Sequence, residues 1–90
     1  MGESATLRDF MMIARASRAD DAFHSRVRET VRLAAVLHPE ITWRADFDLG
    51  PREHVDIFSA PDRGAARAIS DAVSEAGGVR AELAPLRNRW

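Results

Sequence analysis

The sequence predicts an α+β domain in which four strands and two helices follow each other in the order βαββαβ. Two stretches carry apolar residues at helical spacing, three alternate between apolar and polar residues, and proline or glycine marks most boundaries between them. The chain has 90 residues, of which 46% are hydrophobic and 30% charged. This length and composition predict a single folded domain over residues 1–90, and they are far from the profile of a disordered chain.

The first half of the chain predicts a strand followed by a helix. A compact apolar run predicts the strand over residues 7–16, and residues 17–21 offer helix caps and acidic side chains for the first turn. Apolar residues then recur at helical spacing: Phe23, Val27, Val31 and Ala34. We expect this helix to end near Leu37 or His38, because Pro39 restricts the residue before it.

A hairpin is predicted at the centre of the chain. Residues 41–49 alternate strictly, Gly50 and Pro51 mark a turn, and a second alternating stretch covers residues 54–59. Directly opposed residues share a face of the sheet, so an odd-length loop or a bulge near Gly50 would bring the main apolar residues together. Those residues are Trp43, Phe47, Val55 and Ile57.

The last part of the chain predicts a second helix and a final strand. Asp62 is suited to cap the helix, and Gly77 and Gly78 are suited to end it. Residues 79–86 alternate again, and Pro85 favours an edge position or a strand end.

This order predicts a ferredoxin-like fold, an antiparallel sheet of strand order 4-1-3-2 with both helices on one face. We expect the helices to cover Trp43, Phe47, Val55, Ile57, Ala81 and Leu83. The first strand is apolar on both sides, with Phe10 and Met12 on one and Met11 and Ile13 on the other. A second copy of the sheet would bury that other side and form a homodimeric α+β barrel. Its chamber would be lined by Met11, Ile13, Arg44, Asp46, His54, Asp56, Phe58, Arg80 and Glu82. The alternative is a solvated sheet face with cross-strand ion pairs.

Residues 49–62 resemble the GYD domain, a family of small bacterial proteins named for a Gly-Tyr-Asp signature. Gly50, the strand at residues 55–58 and the Ala-Pro-Asp at residues 60–62 match the family pattern, whereas Arg52 and Glu53 stand where its Tyr and Asp are expected. The resemblance implies a dimeric α+β barrel. The wider superfamily includes cofactor-free monooxygenases, lactone isomerases, haem-handling enzymes and regulatory domains, so the resemblance does not select one function.

His54 and Asp56 are the strongest candidates for catalytic residues. Residues two apart on a strand project to one side, where the carboxylate could orient the imidazole for proton transfer. Arg44 and Arg80 could hold a ligand carboxylate or an enolate. The competing interpretation is that His54 is a surface residue beside a turn. In that interpretation the arginines simply pair with nearby acids, Asp46, Asp56 or Glu82.

Composition excludes several other classes. The net charge of -1 offers no positive field for nucleic acid, and the chain has no cysteine for a disulfide, a thiolate nucleophile or a cysteine metal site. No apolar run is long enough to span a membrane. The three histidines lack metal-ligand spacing. We therefore expect a cytoplasmic homodimer without metal or organic cofactor that binds a small organic molecule in its inter-sheet cavity. The alternatives are a cofactor-independent monooxygenase or isomerase and an oligomerisation module without ligand.

Overall fold

The computed structural model describes residues 7–18 and 20–85, and it has the predicted βαββαβ order. Its elements are β1 (Arg8–Arg15), α1 (Phe23–Leu37), β2 (Thr42–Asp48), β3 (Glu53–Ala60), α2 (Arg63–Gly77) and β4 (Arg80–Pro85). The strands form one antiparallel sheet of order β2-β3-β1-β4, which is the predicted ferredoxin-like fold. The predicted end of the last strand, Leu86, lies outside the described residues. In the described part of the chain, neither helix is long and apolar enough to cross a membrane.

Local sequence explains where the helices begin and end. The Asp62 side chain accepts a hydrogen bond from the Ala65 amide at 2.8 Å, which caps α2 as predicted. Gly78 ends α2 with a φ of 62°, a left-handed conformation that glycine adopts without strain. At the start of α1, the cap residue Ala22 makes no side-chain hydrogen bond. Asp20 instead accepts from the Ala22 amide at 2.9 Å.

The main core lies between the sheet and the two helices. Phe10 and Met12 from β1 meet Phe58 from β3, and the Phe10 and Phe58 rings stack with centroids 5.9 Å apart. Ile69 and Val73 of α2 are fully buried against them. A second cluster joins the start of α1 to β1 through Ala14, Phe23 and Val27. The apolar stripes of both helices therefore cover the same face of the sheet, which we call the helix face.

The helix face differs from the predicted one. Phe47 lies opposite Val55, and five residues separate the paired Asp48 and His54, so the odd loop does bring Phe47, Val55 and Ile57 together. That shared face points away from the helices, because the helices cover the alternate residues His54, Asp56 and Phe58. The expected covering of Phe47, Val55 and Ile57 was therefore wrong.

Trp43 does not share a face with Phe47, Val55 and Ile57, because the sheet is irregular at this point. The register of β2 against β3 shifts between Trp43 and Ala45, so Trp43 pairs with Phe58 and joins the helix face. The expected covering of Trp43, Ala81 and Leu83 by the helices is confirmed, since all three pack against the main core. A one-residue bulge thus decides the direction of the largest side chain in β2.

The opposite side of the sheet, which we call the open face, has an apolar centre. Its apolar residues are Met11, Ile13, Ala45, Phe47, Val55, Ile57 and Ala84. Phe47 is 45% exposed, whereas Val55 between its neighbouring strands is 1% exposed. Around this centre, Arg15 forms ion pairs with Glu53 at 2.7 Å and Glu82 at 2.6 Å. The double-sided apolar character predicted for β1 is therefore present.

Candidate functional site

Four polar residues face each other across β2 and β3 on the helix face. Asp48 pairs with His54 and Asp46 pairs with Asp56 in the antiparallel register. Alternate residues on a strand project to the same side, so all four side chains belong to one cluster. His54 is fully buried and Asp56 is 3% exposed, although both are polar. The predicted sharing of one face by His54 and Asp56 is confirmed, and Asp46 and Asp48 join them.

Asp48 holds one side of the His54 ring. Its Oδ1 atom lies 2.9 Å from His54 Nδ1 and accepts a hydrogen bond from Arg28 Nη2 at 2.8 Å. His24 Nδ1 also lies 2.9 Å from this oxygen, but without the angles of a hydrogen bond, while His24 Nε2 is 2.8 Å from the Gly50 carbonyl. Burial acts to raise the pKa of Asp48, but the hydrogen bonds from His54 and Arg28 outweigh it and lower that pKa.

The other side of the His54 ring faces two carboxylates. His54 Nε2 lies 3.4 Å from Asp46 Oδ2 and 3.7 Å from Asp56 Oδ2. Both His54 Nε2 and Asp56 Oδ2 are buried without a hydrogen-bond partner among the described residues. Burial raises the pKa of Asp56 to about 6, against the opposing effect of the His54 imidazole and with a smaller rise from the Asp46 carboxylate. Unpaired buried polar atoms are costly, so their convergence here requires an explanation.

A groove opens beside this cluster, between α1 and the edge strand β2. It encloses about 420 Å³, within the size range of small-molecule pockets. Its lining residues are Arg28, Val31, Arg32, Ala35, Trp43, Arg44, Ala45, Asp46 and Asp56. Trp43 Nε1 is also buried without a hydrogen-bond partner in the part of the chain that is described. The groove therefore combines apolar side chains with three arginines and the two carboxylates that face His54.

The predicted site residues divide between the two faces. Phe58 lies in the core beneath Trp43 rather than in a chamber on the open face, and His54, Asp46 and Asp56 also lie on the helix side. This corrects the predicted chamber lining, and its reason is that the helices cover the alternate residues of β3.

Of the remaining predicted residues, Arg80 and Glu82 are on the open face, whereas Arg44 at the bulge of β2 contacts Ser59 of the open face and also lines the groove. Arg44 Nε donates to Ser59 Oγ at 2.7 Å, and Arg80 lies 3.6 Å from Glu82. Both Arg80 and Glu82 are exposed on the edge strand β4. The structure therefore does not bring Arg44, Arg80 or Glu82 together with the His54 side chain.

Sequence reasoning missed one member of the cluster, Asp48, and two residues that contact it, His24 and Arg28. His24 and His54 are 30 positions apart, yet their ring centroids are 5.6 Å apart because α1 packs over the end of the hairpin. The position of Asp48 in the cluster could have been predicted from the register of the hairpin. Once the odd loop is accepted, Asp48 must share a face with His54, and Asp46 with Asp56.

No protein-family model matches the chain, and no curated protein matches it in sequence. Among solved structures, uncharacterized protein TM1266 from Thermotoga maritima is similar with a TM-score of 0.53 and 15% identity, over 91% of this chain and 100% of that chain. A REP-associated tyrosine transposase bound to a REP hairpin gives a TM-score of 0.55 at 18% identity, over 99% of this chain and 64% of that one.

A C-terminal segment of the aIF2 alpha subunit from Pyrococcus abyssi gives a TM-score of 0.56 at 16% identity, over 93% of this chain and 52% of that one. These structural similarities support the α+β fold. At such low sequence identity they give no information about function. The residues of the cluster must therefore carry any argument about function.

Proposed function

We propose that this protein binds a small organic molecule in the groove between α1 and β2. The observation that carries the proposal is Trp43, which lines a groove of about 420 Å³ and whose buried Nε1 atom has no hydrogen-bond partner among the described residues. Ligand pockets commonly pair apolar walls with a few polar groups that fix orientation. An oxygen atom of the ligand would accept from Trp43, and its apolar body would lie against Val31 and Ala35.

This proposal keeps the ligand class expected from the sequence and moves its location. The inter-sheet chamber was expected to present His54 and Asp56, but both side chains are on the helix face. The α1–β2 groove has Asp56 and Asp46 in its wall. A polar ligand therefore meets the titratable groups in the groove rather than against the open face.

Trp43 fluorescence tests the location. A Trp90→Phe background leaves Trp43 as the single tryptophan, because the chain has two. Titration with a panel of small aliphatic and aromatic ketones and carboxylic acids is expected to give a saturable change for at least one member. Ala35→Leu, which narrows the groove, is expected to abolish that change.

Ala84→Leu is the matched control, because Ala84 lies on the open face. Loss of the response in Ala84→Leu but not in Ala35→Leu would place the ligand in the inter-sheet chamber and reject the groove. Absence of a saturable response to the whole panel would count against small-molecule binding and favour an oligomerisation module without ligand.

An enzyme is the second candidate function, because Asp56 lines the groove and His54 lies directly behind it. In a monooxygenase or isomerase without cofactor, these two residues would move a proton to or from a bound carbonyl compound. Hydrogen–deuterium exchange at the carbon beside that carbonyl, followed by NMR, tests this function. The exchange should be faster with the wild type than with His54→Gln.

We further propose that the chain is a GYD-like bacterial protein of the cytoplasm and that it forms a homodimer through the open face. The support for the dimer is the apolar centre of that face together with its balanced rim of three arginines and three acids: Arg15, Arg44, Arg80, Asp9, Glu53 and Glu82. A rim that carries both signs is able to pair with the rim of a second copy. It does not favour a strongly acidic or a strongly basic partner.

A further inference from the structure

We propose that Asp46, His54 and Asp56 bind a divalent transition-metal ion at the inner wall of the α1–β2 groove. The three residues present one imidazole nitrogen and two carboxylate oxygens that all lie within 4.8 Å of one another. This inference goes beyond small-molecule binding and is independent of it, because the site is built from the chain's own residues and can be tested with the metal alone.

The separations between the donor atoms fit a single ion. His54 Nε2 is 3.4 Å from Asp46 Oδ2 and 3.7 Å from Asp56 Oδ2. Ligand atoms about 2.1 Å from a tetrahedral ion are about 3.4 Å apart. The third separation, between the two carboxylate oxygens, is at most 4.8 Å, and Asp46 Oδ2 would exchange its 3.4 Å contact with Arg28 Nε for the ion.

Two buried atoms aimed at this position have no other role among the described residues. His54 Nε2 and Asp56 Oδ2 are both buried and make no hydrogen bond there. The His54 side chain is fully buried and that of Asp56 is 4% exposed. The Nε2 lone pair of His54 and the Oδ2 atom of Asp56 repel each other in a buried site. A cation bound between them would remove this repulsion and offset the cost of their desolvation.

Asp48 supplies the outer shell that a metal-binding histidine usually has. Its carboxylate can only accept, so the 2.9 Å contact puts the proton of a neutral His54 ring on Nδ1 and leaves the Nε2 lone pair toward Asp46 and Asp56. Arg28 Nη2 in turn holds Asp48 at 2.8 Å. The arrangement fixes both the tautomer and the orientation of His54 before any ion arrives.

The donor set indicates the class of ion. Imidazole nitrogen is a good ligand for zinc and other first-row transition metals, whereas magnesium and calcium prefer sites made of oxygen. Three protein ligands leave at least one coordination position, and Asp46 and Asp56 both line the groove. The open position would therefore face the groove, where water or an oxygen atom of a bound molecule could enter.

Calorimetric titration of chelator-treated full-length protein with Zn²⁺ tests the proposal. The wild type is expected to bind one Zn²⁺ per chain and to show a higher melting temperature with zinc, because an ion that binds only the native state stabilises it. Asp46→Asn and Asp56→Asn should each weaken zinc affinity by at least about tenfold. Asp48→Ala should weaken it by about 10- to 100-fold, the usual effect of losing an outer-shell partner.

Two control variants and a second metal make the test decisive. Asp71→Asn changes an exposed acid on α2 and should leave zinc affinity unchanged. His24 belongs to a neighbouring group with Asp48 and His54, so His24→Gln should have little effect if the ion is bound by Asp46, His54 and Asp56. Circular dichroism of each variant shows whether it folds, and substitution of Asp46 is expected to leave the fold intact because Asp46 is exposed on an edge strand.

Three results would overturn the assignment. They are an absence of zinc binding by the folded wild type, binding that survives both Asp46→Asn and Asp56→Asn, and binding that His24→Gln alone abolishes. Magnesium that raises the melting temperature as much as zinc at equal concentration would reject the transition-metal class. None of these results depends on whether an organic molecule occupies the groove.

Discussion

Asp48 and His54 lie directly opposite each other on β2 and β3, and the Asp48 carboxylate holds the His54 ring at 2.9 Å through Nδ1. The pair stands at the end of a hairpin, where α1 also delivers Arg28 and His24. Because Asp48 is half-exposed and His54 is fully buried, the pair connects the surface of the protein to its interior. The state of the His54 ring therefore depends on one surface carboxylate.

This dependence predicts the tautomer of His54. In metal-free wild type at a pH where the His54 ring is neutral, a long-range proton–nitrogen NMR spectrum should show the ring proton on Nδ1, because Asp48 accepts there. In Asp48→Ala, the proton should move to Nε2, where the Asp46 and Asp56 carboxylates lie within 3.7 Å. The half-buried His38, which lies outside the cluster, serves as an internal reference. An Nε2–H tautomer in the wild type would contradict the arrangement.

Asp56→Asn is expected to stabilise the metal-free protein. The substitution removes a buried carboxylate and can place an amide donor toward the unpaired His54 Nε2. Satisfying a buried acceptor contributes about 1 kcal/mol, which raises the melting temperature of a domain this small by roughly 4–8 °C.

Thermal unfolding in the presence of a chelator measures this change, with Asp71→Asn as the control that should unfold like the wild type. A lower melting temperature for Asp56→Asn would mean that the ionised carboxylate has a partner in the apo protein. The same variant should lose zinc affinity, so stability and metal binding should change in opposite directions.

Much of the fold follows from the sequence, but the choice of covered face does not. Periodicity predicts the element order and the apolar character of both sides of β1, and the strand order follows from the usual arrangement of a βαββαβ chain. Periodicity does not predict which face of β3 the helices cover, because Val55 and Ile57 on one side are as apolar as Phe58 and Ala60 on the other. Only packing against Phe10 and the helices decides between them.

The candidate site could likewise be predicted only in part, because strand alternation places some of its residues and tertiary packing places the others. Strand alternation places His54 with Asp56 and, through the odd loop, with Asp46 and Asp48. The bulge that turns Trp43 into the groove has no glycine or other marker between Trp43 and Ala45. The approach of His24 depends on how α1 packs over the sheet, which local sequence does not specify.

The structural role of Asp62 predicts that its substitution lowers stability without weakening binding. Its side chain caps α2 through the Ala65 amide. Asp62→Ala should lower the free energy of unfolding by about 1 kcal/mol, measured by urea denaturation. Asp71→Ala, within the same helix, should change it much less. Zinc affinity should be unchanged in both variants, and a loss in Asp62→Ala would give this residue a binding role.

The proposed dimer predicts that a charge on the open face separates the subunits. Phe47 is 45% exposed on the edge strand β2, beside Val55 and the other apolar residues of the open face. Phe47→Glu should place an ionised carboxylate where the second sheet would pack. Because burying an unpaired charge is strongly unfavourable, this variant should be monomeric in light scattering at a concentration where the wild type is dimeric.

Leu37→Glu is the matched control, because Leu37 is 75% exposed at the end of α1 rather than on the sheet. It should leave the dimer intact. If Leu37→Glu gives monomers and Phe47→Glu does not, the interface lies instead on the exposed apolar residues of α1, which include Leu33 and Val36. A monomeric wild type would reject the dimer altogether. Zinc binding by Asp46, His54 and Asp56 should persist in Phe47→Glu, since those residues lie on the opposite face of the sheet.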